Sequence, residues 1–157
     1  MSDFWRSVLL EHDIRRAEEN DLETILAIQK LAFRQEAELY NDFSIPPMTQ
    51  TLEGIKADFS RKTFLKASIS GAIIGSVRGF QERSTCFVER LIVRPDHQKR
   101  GFGKLLMESL EKAFPKAQRF ELFTGDRSAG NIRFYEKLGY RIFKHEGILV
   151  FMEKTKQ

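Results

Sequence analysis

The chain has 157 residues, 41% hydrophobic and 31% charged, with a formal charge of +4 and a single cysteine, Cys86. That length fits one domain, residues 1–157, able to bury a core without staples, and a lone cysteine excludes an internal disulfide and suits a reducing compartment. No apolar run approaches the ~20 residues of a membrane span, and Met1–Leu10 is short and mixed, unlike a signal peptide, so the cytoplasm is the expected location.

In chain order, His12–Ala17 reads as an edge strand. Asn20 and Glu23 form a capping-box pattern ahead of a helix whose buried face is Leu22, Ile25, Ile28 and Ala32. Asn41–Pro47 is a break, with Pro46-Pro47 arguing against helix, and a second helix starts at Thr51 with Leu52, Ile55 and Phe59 on one side. Phe64–Ser70 and Ala72–Arg83 are strands around Gly71, and Cys86–Arg94 is a third, stopped by Pro95. A helix opens at Gly101 and carries Leu105, Leu106, Leu110 and Phe114. Arg119–Thr124 is a strand, Asp126–Gly130 a polar loop, and Asn131–Leu138 a short helix stopped by Gly139. Tyr140–His145 and Ile148–Lys154 close the chain as a hairpin. Strand–helix–strand units favour parallel pairing and hairpins favour antiparallel pairing, so the expected fold class is α/β, a mixed sheet flanked by helices.

Lys and Arg are scattered evenly among Asp and Glu, which argues against a nucleic-acid stripe. The densest basic spot is Arg94–Lys104, where a buried strand ends at Pro95 and glycines open a helix. Free N–H groups at a helix start bind phosphate, Gly101 and Gly103 let that backbone approach a ligand, and Lys99, Arg100 and Lys104 add charge suited to a compact anion. A Walker loop would need Gly at Gln98 and Ser or Thr at Leu105, and a dinucleotide fingerprint would need Gly at Leu106, so neither nucleotide motif is present. A surface turn with basic residues explains the spacing equally well.

Gln98-Lys-Arg-Gly101-Phe-Gly103, after Leu91-Ile-Val-Arg-Pro, resembles the acyl-CoA signature of the GNAT N-acetyltransferase superfamily. Asn131-Ile-Arg-Phe-Tyr135 resembles that family's late helix, where Asn and Tyr flank the coenzyme. The resemblance implies a sheet splayed between its fourth and fifth strands, with the arm of acetyl-CoA in the gap. It implies that Leu91, Ile92 and Val93 lie along that arm, Leu91 and Val93 pairing with it through their backbone. Gln98, Lys99, Arg100, Gly101, Phe102, Gly103 and Lys104 would hold the pyrophosphate, with Asn131 and Phe134 beside the coenzyme. The implied reaction is direct acetyl transfer to a primary amine, small or peptidic, with a homodimer as the family's analogy. A non-catalytic acyl-CoA sensor is the alternative.

Amine acetylation needs a neutral amine, a stabilised oxyanion and a stabilised leaving thiolate. Tyr135 is the candidate acid, and Asn131 caps its helix as well as meeting coenzyme. Glu89 is either a base acting through water or a salt-bridge partner of Arg90 or Arg119. Glu38 and Asp42, with Tyr40 and Phe43, either select a cationic acceptor or form a solvated helix end. Cys86 reads as a small core residue and His97 as a neighbour of solvent or phosphate. No His/Cys cluster has metal-ligand spacing, and no metal is expected.

Overall fold

The computed structural model describes residues 12–156, so the Met1–Leu10 stretch lies outside it. The strands are β1 (His12–Arg16), β2 (Thr63–Ile69), β3 (Ala72–Glu82), β4 (Thr85–Val93), β5 (Arg119–Gly125), β6 (Arg141–Glu146) and β7 (Leu149–Thr155). The helices are α1 (Leu22–Leu39), α2 (Pro46–Thr49), α3 (Leu52–Arg61), α4 (Phe102–Ala113) and α5 (Ala129–Lys137). They make one seven-stranded sheet in the order β1-β2-β3-β4-β5-β7-β6. The α/β class and the mixed sheet are as expected.

Two cores sandwich the sheet. Val77, Cys86, Val88, Phe120 and Leu122 pack with Leu106, Met107 and Leu110 of α4, and Phe134 and Tyr135 of α5 lean on them. On the opposite face Ile92 and Phe64 meet Leu22, Ile25 and Ile28 of α1 and Ile55 of α3. α1 and α3 are amphipathic helices that bury one stripe, which is how helices of this length gain stability in water.

The sheet opens in its middle. β4 and β5 run parallel and pair only at Thr85–Arg119, Cys86–Phe120 and Phe87–Glu121. Beyond that point β5 pairs with β7 as far as Gly125, while β4 stays with β3 to Val93. β4 also bulges: Arg78 faces Glu89 and Ser76 faces Ile92, so Arg90 and Leu91 together oppose Val77. Arg90 takes φ +52°, the left-handed conformation found at the first residue of a G1-type bulge. The expected splay between the fourth and fifth strands is therefore present.

Three local expectations are corrected. Asn20 does not cap α1; it sits inside a 3-10 turn at Glu19–Asp21, and the Asp21 carboxylate accepts the Glu18 N–H at 2.7 Å. Pro46 and Pro47 do not prevent helix but open the turn of α2, where a missing N–H costs nothing. Asn131 does not cap α5, which begins at Ala129 after Ser128, so Asn131 lies within the first turn.

Candidate active site at the sheet opening

The backbone places a binding edge along the gap. Arg94 N–H donates to Ile74 C=O of β3 at 2.7 Å, and strand alternation then turns the polar groups of Val93, and of Leu91 two residues earlier, toward the open edge. The Gln98 amide reaches that edge and donates to Val93 C=O at 3.1 Å. Ile92, between them, buries its side chain beneath α1.

Past Pro95–His97 the chain exposes Gln98, Lys99, Arg100, Gly101 and Lys104. Gly101 holds φ +91° and starts α4. The first ladder bond of α4 runs from Leu105 N–H to Gly101 C=O at 3.1 Å, which leaves the preceding amides outside the ladder and directed out of the helix end. Phe102 is half-buried against the α4 core. A Cβ at Gly103 would stand 3.2 Å from the Phe134 ring and 3.8 Å from Leu91. The glycine loop, α5 and the open edge of β4 therefore converge, although about 30 residues separate the two motifs in sequence.

Tyr135 lies on α5, its ring edge-on to Phe134 at 5.2 Å and to Tyr140 at 6.0 Å. Burial, and then the charge of Glu36, push its phenol above the usual value, so it keeps its proton at neutral pH. Asn131 is exposed, with its amide 3.5 Å from Thr124 Oγ1. Glu89 pairs with neither Arg90 nor Arg119; it pairs with Lys62 at 2.8 Å. Arg119 is taken by Glu121 and Glu153, each at 2.8 Å. Burial lowers the Arg90 guanidinium pKa and leaves its Nε without a partner. Cys86 is buried, and burial together with the charge of Glu111 pushes its thiol up to about 12. His97 contacts Asp96 at 2.9 Å and stands edge-on to the Phe102 ring. Among the described residues no cluster of His, Cys, Asp or Glu could hold a metal.

The family model for the acetyltransferase (GNAT) family matches residues 9–140, and both motifs lie within that match. The chain belongs to the GNAT acetyltransferase family. Solved relatives share the fold. The PaiA N-acetyltransferase of Thermoplasma acidophilum, in complex with coenzyme A, superposes with a TM-score of 0.79 at 19% identity, covering 92% of this chain and 99% of that one. YncA of Salmonella typhimurium, described as a putative acetyltransferase and solved with acetyl-CoA, gives 0.71 at 21% identity, covering 92% and 94%. By sequence the chain is 27% identical to L-ornithine N5-acetyltransferase NATA1 of Arabidopsis thaliana over 118 residues, 66% of this chain and 52% of that protein. It is 33% identical to acetyltransferase YE1169 of Yersinia enterocolitica over 87 residues, 54% of this chain and 62% of that protein. The chain thus spans about half the length of the curated relatives it matches.

In this GNAT chain Glu38 and Asp42 form a solvated helix end, the second of the two sequence readings. Glu38 and Asp42 are exposed and bond locally, Glu38 to Arg34 and Asp42 to Ser44; Phe43 is exposed. Glu36 and Tyr40 turn inward instead. A Cβ at Gly125, the end of β5, would stand 2.5 Å from Tyr40 Oη and closer still to a Glu36 oxygen, so both side chains rest directly on that backbone. Tyr40 donates to Asp126 Oδ1 at 2.8 Å and accepts the Arg127 N–H at 2.7 Å, while Ser128 Oγ donates to Glu36. Sequence reasoning missed Glu36. Its signal is the i, i+4 step to Tyr40, which continues the inward stripe Ile25–Gln29–Ala32.

Proposed function

We propose that this chain is one N-acetyltransferase domain that moves the acetyl group of acetyl-CoA to a primary amine directly, within a ternary complex. The observation that carries this reading is the break in β4–β5 pairing after Phe87 and Glu121, lined by both motifs. The pantetheine arm takes the place of the missing strand, with Leu91 and Val93 offering it backbone partners. The pyrophosphate sits on the Gln98–Lys104 turn, where exposed cations and outward N–H groups compensate its charge. Phe134 and Asn131 flank the coenzyme from α5. The acetyl thioester then lies in the gap, within reach of Tyr135.

Three steps follow. An amine loses a proton and attacks the thioester carbonyl, forming a C–N bond. The C–S bond breaks as the oxyanion collapses. The thiolate takes up a proton, and Tyr135, which is protonated at neutral pH, donates to the departing sulfur. Its raised pKa makes complete transfer of the phenol proton harder, so a hydrogen bond that tightens as sulfur gains charge is the main contribution. Glu89 is the water-mediated base of this scheme, oriented by Lys62 at 2.8 Å. Cys86, protonated and buried, takes no part.

Tyr135→Phe tests the assignment, since it removes one hydroxyl and keeps the ring packing. Single-turnover acetyl transfer should fall roughly 100- to 1,000-fold with acetyl-CoA affinity retained. Transfer within a few-fold of wild type would hand the role to another group.

A further inference from the structure

Half-buried carboxylates in this chain come with a cation. Asp21, Asp58, Glu89, Glu111, Glu121, Asp126 and Glu153 each have a Lys, Arg or His nitrogen at 2.7 to 3.1 Å. Burying part of a carboxylate is costly without such a partner. Glu36 is the exception among the described residues: it is half-buried, and its bond is to the neutral Ser128 hydroxyl. A carboxylate offers about four acceptor positions, so the Ser128 bond uses only part of its capacity. Arg127, the nearby cation of the following loop, is stacked over the Tyr40 ring at 5.2 Å.

The position of Glu36 gives the vacancy a meaning. α1 lies on one face of the sheet and α5 on the other, yet the charge of Glu36 acts on the Tyr135 phenol. Between these two faces, beyond Phe87 and Glu121, β4 and β5 no longer pair. A thioester in that gap would have Tyr135 on the coenzyme side and Glu36 on the α1 side.

We infer that Glu36 is the specificity-determining residue that receives the acceptor as a primary ammonium, supplying the anion for which the fold provides no cation. The inference rests on the acetyl-transfer reading above and deepens it by fixing the substrate class: an amine that arrives charged, enters from the α1 face, and is delivered to the thioester at Gly125. Ser128 holds one carboxylate oxygen in place. Tyr40, Asp126, Arg127 and His145 form a bonded wall beside it and leave Glu36 as the half-buried carboxylate without an ion-pair partner among the described residues. Glu36 needs no covalent step for this role; the ammonium then gives its proton to the base and attacks as the neutral amine.

The test compares wild type, Glu36→Gln and Glu36→Asp. The probes are L-ornithine, 1,4-diaminobutane and a hexapeptide with a free N-terminus, at saturating acetyl-CoA. Gln keeps the shape and still accepts from Ser128, so melting temperature and acetyl-CoA affinity should match wild type. For each probe that wild type acetylates, KM for the amine should rise about 10- to 100-fold in Glu36→Gln with kcat changed far less, the span expected for one charged hydrogen bond. Glu36→Asp, which restores charge on a shorter stem, should recover part of that loss. Wild type that acetylates a probe while Glu36→Gln shows the same KM overturns the inference alone. A fall in stability and acetyl-CoA affinity with unchanged amine KM assigns Glu36 a structural role and also overturns it. Wild type that acetylates none of the probes overturns the acetyl-transfer reading together with the inference.

Discussion

Replacing Arg78 by Met should destabilise the fold by about 3 kcal/mol, and the network around it shows why. Arg78 is 1% exposed in the middle of β3. Its guanidinium meets Asp58 at 3.0 Å, Gln50 at 3.3 Å and the Gln29 carbonyl oxygen, and lies 4.5 Å over the Phe64 ring. Burial, and then the neighbouring Arg90 charge, push its pKa down to about 10, so it is still charged at neutral pH. Two effects compete in the variant. Met removes the desolvation cost of the guanidinium, which favours the variant. It also leaves the Gln29 oxygen unpaired, at about 1–3 kcal/mol, and breaks a buried ion pair, a change that costs about 3–5 kcal/mol when one partner stays behind. Asp58 keeps Lys62 at 3.3 Å and Gln50 at 2.9 Å, which places the loss at the lower end. For a chain of this size about 3 kcal/mol lowers Tm by roughly 6–12 °C. Urea unfolding followed by circular dichroism, with thermal melts alongside, measures it. A loss below about 1 kcal/mol would refute the reasoning, because desolvation relief would then have matched the broken contacts.

Other outcomes follow from the same geometry. Gly101→Asp should weaken acetyl-CoA binding more than 10-fold, or about 1.4 kcal/mol, by calorimetry; Gly101→Ala carries the same left-handed strain without the charge, so equal losses in both would remove the pyrophosphate from this turn. Cys86→Ala should keep acetyl transfer, and acetyl trapped on Cys86 in wild type would contradict direct transfer. Glu89→Gln should slow transfer most at neutral pH and recover partly at high pH, where the amine deprotonates unaided; a pH–rate profile superimposable on wild type would leave Glu89 to its ion pair with Lys62. Burial raises the Asp58 pKa, but Gln50, Lys62 and Arg78 outweigh it and hold the carboxyl below its ordinary range. Its stabilisation is therefore present above about pH 4 and lost as pH falls through the lower folded value. Arg78→Met removes one of the groups that lower this pKa, so the acid-dependent loss of stability should be smaller than in wild type in a denaturation series, and an unchanged loss would place the Asp58 shift elsewhere.

Apart from the short α2 turn, element types and order were legible in the sequence because they rest on local chemistry. Alternation in β4, the glycines at the start of α4 and Gly139 after α5 each act within a few residues. The two motifs that resemble the family's coenzyme signatures were legible for the same reason, and their convergence at Gly103 and Phe134 is a tertiary fact that follows from the fold. Partner identity was not legible. Lys62 reaches Glu89 because α3 ends beside β2 and β3 brings β4 alongside, a juxtaposition no spacing in the chain encodes. In the sequence Arg78 is one charge within a long strand, and its burial depends on Gln29, Gln50 and Asp58 arriving from three separate segments. On α1 the choice between Glu36 and Glu38 turns on two residues of helical phase, about 200° around the axis. Composition weights both equally; only the stripe that begins at Leu22 and Ile25 tells them apart.

The most direct test of the account is amine-dependent release of coenzyme A from acetyl-CoA by the wild-type chain, read by thiol titration across small polyamines, amino-acid derivatives and peptide N-termini, with mass spectrometry of the acceptor. The account predicts stoichiometric release and an acceptor heavier by one acetyl group on a primary amine. Tight acetyl-CoA binding with no release above the amine-free rate for any acceptor would contradict it and make the chain a sensor of acyl-CoA.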